Sequence, residues 1–185
     1  IHDLGHGCFS HFFDTLFLKN IKTDFKDHEY RSIWIFENMV KKYKLNLTIK
    51  DIEIITNLIY PKDNKHYLYH IVANNLNSLD TDKFDYIQRD TYSLGLPFSI
   101  DSSRLVMQCR VINNEICYPE KEVYTIYELF HTRYRLHKQI YTHPAVQQIE
   151  YMILDILNKA EVVLKIRDNI ENYEKFIKLN DNILD

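Results

Sequence analysis

The 185-residue chain is poor in the residues that punctuate short strands, with 3 Gly and 4 Pro. That scarcity disfavours a sandwich or barrel, whose many strands need frequent turns, and makes a mainly α protein the expectation. Cysteine is scarce too. Cys8, Cys109 and Cys117 form an odd set without CxxC spacing, which fits a reducing intracellular compartment, cytoplasm or nucleus, better than a disulfide scaffold. Cys109 and Cys117 flank a candidate hairpin turn, and two buried thiols are the expectation there. No run of about 18 apolar residues occurs, so no membrane span is expected, and nothing near Ile1 resembles a signal peptide. A basic surplus is also lacking. The 23 Lys+Arg stand against 26 Asp+Glu for a net charge of −3, which argues against nucleic acid or an anionic membrane as the main partner.

What is present is apolar residues at helical spacing. The chain is 45% hydrophobic, enough for a real core, and at about 100–200 residues per domain it makes one domain, 1–185, with no evident linker. It opens at Ile1 rather than Met and runs at once into His2-Asp3, so it reads as a fragment. Phe9, Phe12, Phe13, Leu16 and Phe17 form an apolar helical stripe, with His11 and Asp14 on the opposite face. Asp27 reads as the N-cap of a helix reaching about Tyr43, with Ile33, Phe36, Met39 and Val40 inward. Thr48 and Asp51 form a capping-box start for a helix to about Ile59. Pro61-Lys62-Asp63-Asn64 reads as a turn, followed by a helix around His66 to Ala73. Another helix spans about Asp80 to Leu94, ended by Gly95 and Pro97. Residues 104–118 read as a hairpin turning at Asn113-Asn114, the one convincing β signal. A long helix follows from about Glu120 to Tyr141, then one from Pro144 to about Ile166, and the tail from Asp168 reads as a last amphipathic helix.

The segment from His2 to Asp14 packs three His and two Asp into thirteen positions. Imidazole and carboxylate suit a borderline or hard divalent cation, and Gly5 and Gly7 let backbone come close where side chains converge. An isolated HD dipeptide is ordinarily a fortuitous polar stretch; this density argues otherwise. Asp82, Tyr86 and Asp90 recur at i, i+4, i+8 with Lys83 beside them, and Arg133, His137 and Tyr141 recur at the same spacing. Alone, each would be a solvated face or ion-pair ladder. Together, downstream of the His/Asp cluster, they can wall one anion site. His28 lies in a helix's first turn, where the positive dipole end suits anions and disfavours the imidazolium.

The ordered motifs HDLGHGxFSHxFD, His28-Glu29, Asp80-Thr-Asp82-Lys83-Phe-Asp-Tyr86-Ile-Gln-Arg89-Asp90 and Phe130-His-Thr-Arg133-Tyr-Arg-Leu-His137, with Tyr141 and His143, closely resemble the HD-domain metal-dependent phosphohydrolases. Among these they are most similar to the SAM-and-HD-domain deoxynucleoside triphosphate triphosphohydrolases, over nearly the whole chain. The resemblance implies an HD-domain helical fold and a divalent metal ion (Mg, Mn, Fe or Zn) ligated by His2, Asp3 and Asp82. It implies His11 as the catalytic His, with Asp14 and His28 as neighbours in its acid/base network. His6, Lys83, Tyr86 and Arg133 match contacts to the triphosphate. Asp90 matches a sugar-binding carboxylate, Tyr141 an aromatic that crowds the ribose 2′ position, and His137 a further pocket residue. The chemistry agrees, since a triphosphate needs a cation and Lys/Arg donors, and a His transfers protons near neutral pH. Asp14, hydrogen-bonded to His11, would set its tautomer.

The resemblance also implies one more metal-ligand His, a phosphate-binding Arg and sugar contacts upstream of Ile1. The sequence therefore supplies part of a metal site, and weak or absent metal binding is the expectation. Arg104 and Lys121 match basic positions of an allosteric nucleotide site, but Pro119 and Thr125 stand where an Arg and an Asn are expected, so nucleotide activation is doubtful. A homo-oligomer, dimer or tetramer, is compatible with the resemblance. Three functions compete: hydrolysis of dNTPs to deoxynucleoside and triphosphate, impaired in this chain; HD phosphohydrolysis of a nucleoside monophosphate or other phosphate ester; and a non-catalytic nucleotide- or nucleic-acid-binding module. The Lys83/Tyr86 and Arg133/His137/Tyr141 stripes favour the first.

Overall fold

A computed structural model describes residues 1–62, 66–97 and 100–184. In chain order the elements are α1 (His28–Tyr43), α2 (Ile49–Ile59), α3 (Thr81–Ser93), α4 (Ser102–Gln108), β1 (Arg110–Ile112), β2 (Glu115–Cys117), α5 (Val123–Leu136), α6 (Pro144–Leu164) and α7 (Tyr173–Phe176). The protein is mainly helical with one small antiparallel hairpin, as the shortage of turn residues implied. No helix among the described residues is long and apolar enough to cross a membrane.

The chain forms two compact units, one of residues 1–60 with 147–185 and the other of residues 61–146. In the first, Phe12, Phe13, Phe17 and Leu18 are buried with Ile35 of α1, Leu157 of α6, and Ile166, Ile170 and Phe176. The aromatic stripe is thus core, but its helix begins at His11 and passes into a π-helical turn, Phe13–Phe17. Phe9 and Ser10 adopt positive φ of 62° and 58°, so Phe9 packs against the core from a turn before the helix. α1 starts after Asp27 as expected, although the Asp27 side chain makes no capping bond. Its buried face carries Arg31, Ser32, Ile35 and Phe36. Ile33, Met39 and Val40, expected inward, are half-buried. The α2 capping box is complete: Thr48 Oγ1 accepts from Asp51 N at 3.2 Å, and Asp51 Oδ2 accepts from Thr48 N at 2.8 Å. The tail from Asp168 is not one amphipathic helix; it forms short turns of helix, of which α7 has four residues.

In the second unit Leu79, Phe84, Ile87, Ile100, Leu105, Leu129 and Leu136 make the core. The turn expected at 61–64 falls partly on Asp63 and Asn64, outside the described residues. The helix expected from His66 to Ala73 is a single 3-10 turn, Tyr67–His70. Asp80 caps α3 through its side chain, which accepts from Lys83 N, and Gly95 closes that end of the chain path at φ 63°. The hairpin is shorter than 104–118. Residues from Ser102 to Gln108 form α4, capped by Asp101, and the strands pair Arg110 with Cys117 through Ile112 with Glu115. Asn113 and Asn114 both have positive φ, 50° and 65°, the backbone of a tight two-residue hairpin turn. Cys109 and Cys117 are free and half-buried. The long helix expected to Tyr141 is α5 continued by a second π-helical turn, His137–Tyr141.

Candidate active site

In the first unit the loop before the first helix is fastened to the N-terminal turns of α1. Ser32 Oγ donates to the His2 carbonyl at 2.6 Å and accepts from Gly5 N at 2.8 Å, while Arg31 Nε donates to the Gly5 carbonyl at 2.7 Å. Contact at Gly5 is so close that a Cβ there would meet the His28 carbonyl at 2.1 Å and Ser32 N at 2.4 Å. Only glycine fits.

This fastening assembles three imidazoles. His6 stacks on His28 with centroids 4.0 Å apart, and His11 stands edge-on to both, at 5.0 Å from His6 and 5.3 Å from His28. Behind them, His28 Nδ1 lies 2.8 Å from Asp14 Oδ2. The other Asp14 oxygen accepts from Arg31, whose guanidinium is fully buried, also bonds the Phe25 carbonyl and lies 5.4 Å from the Phe13 and Phe176 ring centroids. Asp14 therefore commits both oxygens to His28 and Arg31. The expected bond to His11 is not among its contacts, because the buried Arg31 fixes which way the carboxylate faces.

The electrostatics follow from this wiring. Burial opposes ionisation of Asp14, yet hydrogen bonds from His28 and Arg31 with their charges hold its carboxyl below the usual range. Burial likewise opposes charge on His28, but the Asp14 hydrogen bond and the Glu29 and Asp14 charges prevail, and its pKa is raised. The helix N-terminus was expected to do the opposite; two carboxylates outweigh it. His11 moves the other way, pushed down by burial and by His28 and His6 nearby. At the head of the loop, Asp3 has Oδ2 3.2 Å from His2 Nε2 and Oδ1 3.4 Å from His6 Nε2. The His6 hydrogen bond, against burial and aided by the His2, His6 and His28 charges, lowers its pKa. An imidazole beside an ionised carboxylate is a donor pair that fits a divalent cation.

In the second unit Asp82, Tyr86 and Asp90 lie half-buried along one face of α3. The two sequence stripes meet here: Arg133 Nε donates to Tyr86 Oη at 3.1 Å, and the Tyr141 hydroxyl donates to Asp90. Burial and that bond raise the Tyr141 pKa. The His137 ring is edge-on to Tyr141 at 5.1 Å, and burial with the nearby Arg133 charge lowers its pKa. Lys83 Nζ sits 2.8 Å from Asp80, the buried α3 cap. Arg104 Nη2 pairs at 2.6 Å with Glu122, which is 1% exposed, whereas Lys121 is exposed. Both π-helical turns carry candidate site residues, Asp14 in one and His137 and Tyr141 in the other, and such turns recur at functional sites.

Arg31 and Ser32 escaped the sequence reading. Their signal was a phase: His28, Arg31, Ser32 and Ile35 share one face of α1, which a search for apolar residues alone rotates towards Ile33.

No family model matches the chain. It is 43% identical over 188 residues to the deoxynucleoside triphosphate triphosphohydrolase SAMHD1 homolog of Dictyostelium discoideum, covering 99% of this chain and 36% of that protein. It is 40% identical to the HD domain-containing protein L394 of Acanthamoeba polyphaga mimivirus, covering 98% and 40%. To human deoxynucleoside triphosphate triphosphohydrolase SAMHD1 it is 32% identical, covering 98% and 35%. The chain thus spans little more than a third of the length of these relatives. With this identity running through nearly all of its residues on a mainly helical fold, the chain belongs to the HD-domain, SAMHD1-like family.

Proposed function

We propose that the chain carries the catalytic part of a dNTP triphosphohydrolase, which releases a deoxynucleoside and intact triphosphate, and that residues 1–185 belong to one HD domain. The observation that supports this most is the wiring of the three imidazoles: an accessible His11 of lowered pKa beside a His28 whose pKa is raised by Glu29 and by an Asp14 that Arg31 holds in place. Such a pair suits proton transfer next to an anion.

In this reading His2, Asp3 and Asp82 hold a divalent cation, which offsets phosphate charge and acidifies water when bound. His11 moves the proton required at the reacting oxygen, and His28 and His6 face the phosphate charge. Arg133 and Tyr86, already bonded to each other, and Lys83, released from Asp80, grip the triphosphate. Asp90 binds the sugar, and its bond to Tyr141 holds that ring where a 2′-hydroxyl would crowd it. Hydrolysis breaks the bond between the α-phosphorus and the 5′ oxygen; water supplies oxygen to phosphorus and a proton to the sugar. Arg104 is engaged by Glu122, and Pro119 offers no donor, which supports a weak or absent allosteric response. A dimer or tetramer, and a reducing compartment, complete the proposal.

Product analysis of each dNTP with Mg or Mn tests it. Deoxynucleoside and triphosphate are expected, with turnover abolished in Asp82→Ala and reduced in Arg133→Ala. Monophosphate plus pyrophosphate, or undiminished turnover in the Asp82 variant, overturns it.

A further inference from the structure

We infer that a cavity between the first helix and α6 binds a small monocarboxylate with an apolar body. The cavity shares no residue with the proposed hydrolytic site. Its volume is about 380 Å³, within the roughly 300–1,000 Å³ of small-molecule sites. Leu16, Phe17 and Ile21 on one side and Leu154 of α6 on the other give it apolar walls, while Asn20, Asn158 and Arg167 supply its polar atoms. All of these residues belong to the first unit.

The polar end is held in place by the protein itself. Phe17 closes the π-helical turn, where the helix ladder supplies no donor for its carbonyl. Arg167 supplies it: Nη2 donates to that carbonyl at 3.0 Å and Nε at 3.4 Å, and the guanidinium lies 4.1 Å from the Phe17 ring centroid. Nη2 also donates to Asn158 Oδ1 at 2.8 Å. Both its hydrogens are thereby used, and Nη1 is the nitrogen left to donate. Because Asn158 turns its oxygen to Arg167, its Nδ2 is likewise left as a donor. Among the described residues no carboxylate pairs with the guanidinium; Glu161 spends its two oxygens on Ile166 N and Arg167 N, at 3.1 and 2.8 Å. An arginine charge without a counter-ion, a carboxamide donor beside it and an apolar wall together suit an anionic head on an apolar body. With Nε and Nη2 committed, the guanidinium has no bidentate edge for a phosphate, whereas one carboxylate oxygen can accept from Nη1 and the other from Asn158.

Isothermal titration calorimetry of the whole chain with 4-phenylbutyrate and with octanoate tests the site. Saturable binding of at least one of them is expected, with the neutral 4-phenylbutanamide at least about 10-fold weaker than its acid, since it lacks the charge-assisted bonds. Inorganic phosphate should not compete. Asn158→Asp keeps an oxygen for Arg167 but replaces the donor by a second acceptor and adds negative charge. It should melt as wild type does and bind the acid at least about 10-fold more weakly. Ile21→Trp, which fills the cavity from its wall, should abolish binding. No saturable binding of either acid to the folded chain overturns the assignment. So does an amide that binds as well as its acid, displacement by phosphate, or undiminished binding in whichever variant melts like wild type. None of these readouts depends on dNTP turnover, so failure here leaves the proposed hydrolysis standing.

Discussion

Arg31 determines more of the candidate site than its position in the sequence announces. Its fully buried guanidinium bonds Asp14 and the carbonyls of Gly5 and Phe25. Replacing it with Met leaves a carboxylate and two carbonyls without their donor. Breaking a buried pair from one side costs about 3–5 kcal/mol, and chemical denaturation of Arg31→Met should show a loss of that order. Downstream of Arg31, the Asp14–His28 pair makes stability pH-dependent. His28 has a raised pKa, so its contribution is complete below the unfolded imidazole value of about 6.5 and fades as pH climbs through the folded one. Asp14 has a lowered pKa, so its contribution is complete above the unfolded carboxyl value of about 4 and fades as pH falls through the folded one. The stability gap between wild type and Asp14→Asn should therefore be widest between those two values and narrow on either side. A gap that does not vary with pH would contradict the pairing. Proton NMR titration offers a direct check: the His28 ring should titrate above His11, and Asp14→Asn should bring His28 down.

Local signals were legible where one side chain governs a backbone end. Thr48 and Asp51 announced α2, and the bonds are made in both directions. Thr48→Ala should cost about 1 kcal/mol, read by urea denaturation. Asp80 and Gly95 bracketed α3 for the same reason. Legibility failed where packing overrides pattern. Arg104 to Gln108 resembles a strand, yet Asp101 caps a helix there that buries Leu105 and leaves Val106 and Met107 outside. The α1 phase was misread because its inward face holds Arg31 and Ser32, which an apolar periodicity cannot reveal. That face is also what seats the loop, with Gly5 pressed on the helix backbone. Gly5→Ala forces a Cβ against atoms that cannot move separately from α1. Overpacking ordinarily costs about 1–3 kcal/mol, and the Gly5 variant should lie at or above the top of that range. Histidine ring NMR shifts of His6 and His28 should also change, because the loop must lift. A Gly5→Ala protein as stable as wild type would mean that the loop is not seated on α1.

Across the whole chain, composition settled the class of fold and left its subdivision unreadable. Few Gly and Pro implied helices, and helices with one hairpin are what form. The two compact units were not visible, because the first is made of both ends of the chain, residues 1–60 and 147–185. No change of composition marks a boundary of that kind. Its core joins Phe12, Phe13 and Phe17, near one end of the chain, to Leu157 and Phe176, towards the other, while the core of residues 61–146 gathers around Ile87, Leu105 and Leu129. The two clusters have no residue in common. Leu157 and Leu129 are each almost fully buried, so truncating either to Ala should cost about 2–5 kcal/mol. Residues without shared partners contribute independently, and the Leu157→Ala/Leu129→Ala double variant should lose the sum of the single losses to within about 0.5 kcal/mol. Equilibrium urea denaturation of the four proteins measures this. A double variant that departs from the sum by a larger margin would mean that the two cores stabilise each other, and the division into separately packed clusters would fail as an energetic description.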